Sequence, residues 1–146
     1  MTNAIQSLGT PSPSDLTVIV ELLRLLDYEV DEDRVAARLS RMTAAAGHET
    51  WVVRDDAGEI AGLAGGHLMW GLADDEPLAQ LIILVVREGR QAGGIGSDLI
   101  RHYEAWAREH GATRFLATSA AARDNVTRFY ARRGYHASGI RYSKLG

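Results

Sequence analysis

The residues with the most chemical content lie between Val85 and Ser97, where the chain reads Val-Val-Arg-Glu-Gly-Arg-Gln-Ala-Gly-Gly-Ile-Gly-Ser. An apolar strand enters a turn carrying Gly89, Gly93, Gly94 and Gly96, and an amphipathic helix leaves it. Glycine admits positive φ and lets a ligand approach the main chain, so several N–H groups can converge on one point. The helix adds the unpaired N–H groups of its first turn and the positive end of its dipole. Such a site suits a phosphate or pyrophosphate. The same glycines also serve a plain strand–turn–helix connection, so the rest of the chain must decide.

Two phosphate-binding patterns are excluded. A P-loop needs a lysine and a hydroxyl residue after its last glycine, and here Ile95 and Gly96 follow Gly94. A dinucleotide fingerprint opening at Gly94 would put its third glycine at Leu99, and no first βαβ unit surrounds it.

The elements that position this turn read as mixed α and β around one sheet, without strict βαβ alternation. Ala4 to Leu8 suits an edge strand. Ser14 or Asp15 is expected to cap a helix whose apolar stripe is Leu16, Ile19, Val20, Leu23 and Leu26. Asp31-Glu32-Asp33 opens a second helix with Val35, Leu39 and Met42 inward; the run lacks the glycine and distal glutamate of a calcium loop. Thr50–Arg54 and Glu59 to about Trp70 form a hairpin around Asp55–Gly58, and Gly62, Gly65 and Gly66 predict a bulge or close packing in its second strand. Leu81 to Val86 is nearly all branched aliphatic, as for a central strand buried on both faces. A helix from Ile95 to His110 turns Ile95, Leu99, Tyr103, Trp106 and His110 to one side and stops at Gly111. Phe115–Thr118 is a short strand, Asp124 or Asn125 caps a helix carrying Val126, Phe129 and Tyr130, and Tyr135 to Lys144 closes as a strand.

A chain of 146 residues fits one domain, residues 1–146, with a core that needs no staples. It has no cysteine, which removes disulfides, thiol nucleophiles and thiolate metal sites, and no metal site is expected. No apolar run reaches the roughly 18 residues that cross a bilayer, so a cytoplasmic protein without a membrane partner is expected. The net charge of −3 is sorted along the chain. Residues 1–87 hold 14 acidic and 6 basic side chains, whereas residues 114–146 hold 1 and 7. The acidic portion argues against nucleic acid as a partner, and the basic end suits a small phosphorylated ligand.

Gln91-Ala92-Gly93-Gly94-Ile95-Gly96, preceded by Leu84-Val85-Val86, is followed downstream by Asn125-Val126-Thr127-Arg128-Phe129-Tyr130-Ala131-Arg132-Arg133-Gly134-Tyr135. In order and separation these segments resemble the GNAT superfamily of N-acetyltransferases, over most of the chain from about Thr50 and more faintly from Ser14. The resemblance implies an α/β fold of one domain, with a central, mostly antiparallel twisted sheet flanked by about four helices. It implies that backbone N–H groups of Gln91, Ala92, Gly93, Gly94, Ile95, Gly96 and Ser97 hold the pyrophosphate of acetyl-coenzyme A. It implies further that the backbone of Leu84 and Val86 pairs with the pantetheine arm, that Asn125 contacts the cofactor, and that Tyr130 protonates the departing thiolate. The reaction would be direct transfer to an amine, with a backbone N–H near Val86 steadying the oxyanion.

Many relatives carry a carboxylate on the central strand, two positions before the residue equivalent to Leu84. Here Ile82 and Ile83 fill that region, and His67, Asp74, Asp75 and Glu76 are the candidate bases in its place, alongside a water chain. The acid excess before residue 88 points to a small cationic amine as acceptor. A protein N-terminus or lysine, and a non-catalytic acyl-coenzyme A binding module, are the alternatives. A homodimer in which the C-terminal strand takes part is also compatible with the sequence.

Overall fold

The computed structural model describes residues 3–119 and 124–146. In chain order its elements are β1 (Ile5–Ser7), α1 (Pro13–Leu25), α2 (Glu32–Ala44), β2 (His48–Arg54), β3 (Ile60–Met69), β4 (Leu78–Val86), α3 (Ile95–Glu109), β5 (Arg114–Ala117) and α4 (Asp124–Ala131). The strands form one sheet in the order β1-β2-β3-β4-β5, antiparallel except for the parallel β4–β5 pair. The mixed class and the mostly antiparallel sheet are as the sequence implies.

Local chemistry explains the boundaries. The β2–β3 turn is tied by the Asp55 carboxylate, which accepts from the N–H groups of Ala57 and Glu59 at 2.9 and 3.0 Å. The cap of α1 is Ser12, not Ser14 or Asp15. Ser12 Oγ accepts from the Asp15 N–H, Asp15 reaches back to the Ser12 N–H, both at 3.1 Å, and Pro13 pre-sets the first helical φ. Asp15 also pairs with Arg54 on β2 at 2.7 Å, and that guanidinium holds its carboxyl below the usual range. Leu26 therefore falls at the C-cap and is exposed, and Val18 and Leu22 take its place in the buried stripe. Asp31 caps α2 as expected.

The sheet is covered on both faces. Val18, Ile19, Leu22 and Val35 pack on Val52, Leu63 and Val85 on one side. On the other, Leu99, Ile100, Tyr103 and Ala107 of α3 pack on Trp51, Ala64, Ala79 and Leu81, while Trp106 is only partly buried and His110 is exposed. Helix α3 lies close to β3 where β3 carries glycine. A Cβ on Gly62 would sit 2.5 Å from Ile95 Cγ2, and one on Gly66 would sit 2.9 Å from the Trp106 ring.

The bulge expected in the hairpin's second strand is at Ala61, left over where Val53 faces Gly62 and Arg54 faces Ile60, and a second bulge lies in the β3–β4 pairing. Gly65 faces Ile83 and Gly66 faces Leu81, which leaves Ile82 as the extra residue. Strand β5 pairs with β4 only from Leu78 to Leu81. The second bulge thus falls where β5 ends, and the expectation that Leu81–Val86 is buried on both faces is corrected: Ile82, Ile83, Leu84 and Val86 are half-buried.

Two further expectations are changed. Of the two candidate caps of α4, Asn125 lies inside the helix. Tyr135 to Lys144 forms no strand. Tyr135 is anchored, its hydroxyl donating to Glu104 at 2.8 Å and its N–H to the Tyr130 carbonyl at 3.1 Å, but residues 136–146 are exposed, with Ile140 at 80% and Tyr142 at 87%. Strand-forming side chains take that conformation only where a neighbouring edge receives them, and no such edge meets this segment.

Candidate active site

Three elements meet at one point: the end of β4, the first turn of α3 and the middle of α4. Gly96 marks the junction. A Cβ there would stand 3.3 Å from the Phe129 ring, a tight contact, and 3.7 Å from Val86 Cγ2, so α3, α4 and β4 come together at this residue.

The turn into α3 has the form of an anion cradle. The Arg90 N–H bonds back to the Arg87 carbonyl at 3.0 Å around Gly89, at φ +82°; a 3₁₀ turn follows over Gln91–Gly93. Gly94, at φ +75°, is the N-cap of α3 and supplies no capping side chain. The first intrahelical bond runs from the Asp98 N–H to the Gly94 carbonyl at 3.0 Å, so the N–H groups of Ile95, Gly96 and Ser97 precede it. Gln91, Ala92, Gly93 and Gly94 are exposed, Ser97 is half-buried, and Ile95 and Gly96 are buried. The Ile95 side chain belongs to the core, so only its backbone belongs to the cradle. A Cβ on Gly94 would meet no protein atom within 4 Å, which leaves room for an anion beside it.

Leu84 and Val86 pack against the same cluster as Phe129, Tyr130 and Tyr135, on the α3 side of the sheet. Beyond Leu81 the β4 main chain has no β5 partner among the described residues, so the β5-side edge of β4 is open beside these side chains. Tyr130 is half-buried, its ring edge-on to Phe129 at 5.3 Å and to Tyr135 at 5.6 Å. Burial pushes its hydroxyl above the ordinary tyrosine value, against the opposing pull of Arg133. It is a proton donor at neutral pH. Asn125 is exposed on the first turn of α4.

The candidate bases lie elsewhere. His67 pairs across to His48 and Gln80 and stacks on the His48 ring at 4.0 Å. It is three residues along β3 from Ala64, the partner of Leu84, about 10 Å at strand spacing. His48 is held towards its neutral form by burial and by His67. Asp74, Asp75 and Glu76 are exposed on the connection that precedes β4, at the opposite end of that strand from Val86. Ile82 and Ile83, where a carboxylate was missing, flank Gly65, whose Cβ would come within 3.2 and 3.1 Å of them. Among the described residues no group of three His, Asp or Glu side chains gathers to hold a metal.

Sequence reading missed Arg133. It follows Phe129 by one helical turn and donates both to the Phe129 carbonyl and to Ser97 Oγ in the cradle; the i, i+4 spacing was the available signal.

The sequence matches the family model of the Acetyltransferase (GNAT) family over residues 16–135, and the chain belongs to that family. It is 31% identical over 128 residues to an aminoalkylphosphonate N-acetyltransferase of Salmonella typhimurium, covering 87% of this chain and 80% of the relative. The fold is similar to that of a GNAT family acetyltransferase from Staphylococcus aureus, with TM-score 0.78, 17% identity and 99% of each chain covered. It is equally similar to an aminoglycoside antibiotic 6'-N-acetyltransferase from Acinetobacter baumannii, with TM-score 0.78, 19% identity, and 98% of this chain and 97% of that one covered. The protein is a GNAT acetyltransferase, and acetyl-coenzyme A is the acetyl donor of its family.

Proposed function

We propose that this chain moves an acetyl group from acetyl-coenzyme A to the primary amine of a small cationic molecule, by direct transfer in the cytoplasm. The observation that carries the reading is the coincidence of the Ile82 bulge, the end of β5 pairing at Leu81 and the glycine cradle at the far end of the same strand. The open backbone of Leu84 and Val86 binds the pantetheine arm, and the N–H groups from Gln91 to Ser97 hold the pyrophosphate. Asn125, at the mouth, contacts the cofactor.

In the transfer the neutral amine nitrogen bonds to the acetyl carbon while the carbon–sulfur bond breaks. The oxyanion is met by a backbone N–H near Val86, and the departing sulfur takes its proton from Tyr130. The amine's surplus proton leaves to water, because the sheet offers isoleucine where a carboxylate would stand. No covalent enzyme intermediate forms.

The cationic acceptor rests on the acid excess before residue 88. The Salmonella relative is named for an amine that carries a phosphonate. A panel of polyamines, aminoglycosides, aminoalkylphosphonates, amino acids and lysine peptides, scored by coenzyme A release, separates these classes. Polyamines or aminoglycosides are expected to lead. Turnover confined to aminoalkylphosphonates or amino acids would overturn the charge assignment, turnover confined to peptides would favour a protein acceptor, and none with any amine would favour a binding module.

Association of two copies is part of the same reading, with the exposed segment 136–146 of each passing to the free β5 edge of the other. Light scattering is expected to give twice the chain mass, and half that mass after truncation at Tyr135; a monomeric full chain would defeat the idea.

A further inference from the structure

The first turn of α3 holds more positive charge than the fold neutralises. Its acidic residue, Asp98, is already committed. The carboxylate accepts from the Asn3 N–H and from Asn3 Nδ2, each at 2.8 Å, and pairs with Arg101. These contacts favour the ionised form of Asp98 and lower its pKa from the ordinary value, with the Asn3 N–H contributing most. On the α4 side stands Arg133, which has no carboxylate within ion-pair distance among the described residues.

Its guanidinium is fixed by neutral groups instead. It lies 3.6 Å over the Phe129 ring, and two of its N–H groups go to the Phe129 carbonyl and Ser97 Oγ. A guanidinium has five donors, so three remain. Burial and the neighbouring Arg101 and Arg132 all disfavour its charge. A planar, half-buried, pre-oriented cation without a counterion, beside free amides at a helix start, fits a bidentate oxyanion.

We propose that Arg133 is a phosphate ligand of the acetyl donor, gripping a phosphate of its 3'-phospho-ADP portion between the guanidinium and the first turn of α3. This rests on acetyl-coenzyme A binding at the cradle and adds to it a side chain from α4. One bound phosphate would join α3 to α4, so donor binding would also fix α4, and Tyr130 with it. The phosphate is either in the pyrophosphate or at the 3' position, and the donor series separates them.

The test compares the wild-type chain with Arg133→Met and Arg133→Lys. Titration calorimetry measures affinity for acetyl-coenzyme A and for its 3'-dephospho form, and turnover is measured with acetylpantetheine, which has no phosphate. Arg133→Met is expected to weaken acetyl-coenzyme A binding by about tenfold or more and raise its KM, with a much smaller loss of acetylpantetheine turnover, and Arg133→Lys to recover part of the loss. If the loss persists with the 3'-dephospho form the pyrophosphate is the partner; if it vanishes, the 3'-phosphate is. Equal losses with acetyl-coenzyme A and acetylpantetheine would mean that Arg133 only supports the packing of Phe129, and would overturn the proposal. Unchanged affinity in a folded Arg133→Met variant would overturn it too. A wild-type chain that binds no acetyl-coenzyme A would instead bring down the donor assignment beneath it.

Discussion

Tyr130→Phe is expected to lower kcat by about 10²- to 10³-fold with little change in the KM for acetyl-coenzyme A, the range a positioned general acid contributes. The ring contacts to Phe129 and Tyr135 survive the change, so the melting temperature should stay near that of the wild type. The loss is chemical rather than structural because only the proton on its way to sulfur disappears. The pH profile gives an independent check. Burial raises the hydroxyl above its ordinary value of 10.0, so the neutral, donating form persists across the neutral and mildly alkaline range. The alkaline fall of wild-type kcat from this group should therefore begin only above that value, and Tyr130→Phe should lack it. The acid limb, which reports loss of the amine's proton, should be common to both. A variant retaining kcat within about threefold of wild type would show that water protonates the thiolate.

The glycine turn was legible in the sequence as a strand-to-helix junction, which the same residues would form with or without an anion. Which glycines take positive φ was not legible: Gly89 and Gly94 do, whereas Gly93 and Gly96 do not. Tyr130 was singled out through the resemblance of the Asn125–Tyr135 segment to the family, and the structure adds its place on α4 between the Phe129 and Tyr135 rings. The open edge of β4 was not legible, because it depends on where β5 stops. The four-residue β5 sets how far β4 is covered, and nothing in Leu81–Val86 records that length. Hydrophobic identity predicted full burial for a strand whose second half is half-exposed. The bulges were visible only as an excess of glycine at 62, 65 and 66; their positions at Ala61 on β3 and Ile82 on β4 required the register. Ser12 was missed for a local reason: Ser14 and Asp15 are equally good capping types, and the choice turns on which of them the reciprocal hydrogen bonds select. The C-terminal segment failed because strand propensity cannot say whether an edge is within reach.

The apolar bulge has a consequence for the order of proton transfers. With Ile82 and Ile83 beside Gly65, the candidate bases His67 and Asp74–Glu76 lie towards the other end of β4 from Val86. In the proposed transfer the acceptor then arrives as the free amine or sheds its proton to solvent. The acid limb of the pH profile should follow the acceptor's own amine pKa as the acceptor is changed, and not stay fixed at a protein group's value.

Gly94→Val should abolish measurable acetyl-coenzyme A binding, or weaken it at least about 30-fold, at a stability cost of only about 1–2 kcal/mol. Two effects combine. At φ +75° a β-branched side chain is strained, and its Cβ, with no protein atom within 4 Å, would occupy open space at the residue that begins α3, where the proposed anion sits. Strain alone is separated out by Gly89→Val. Gly89 has φ +82° and equally open surroundings, but lies in the preceding Arg87–Arg90 turn, before the amides that precede the first α3 hydrogen bond. Both variants should lose similar stability on thermal melting, since the backbone penalty is alike. Only Gly94→Val should lose the ligand, because each hydrogen bond to a charged phosphate contributes about 1.5–3 kcal/mol and the side chain displaces more than one. Calorimetry with matched affinity losses at Gly89 and Gly94 would place the anion nearer the turn than the helix, and no loss at Gly94 would remove the pyrophosphate from the cradle altogether.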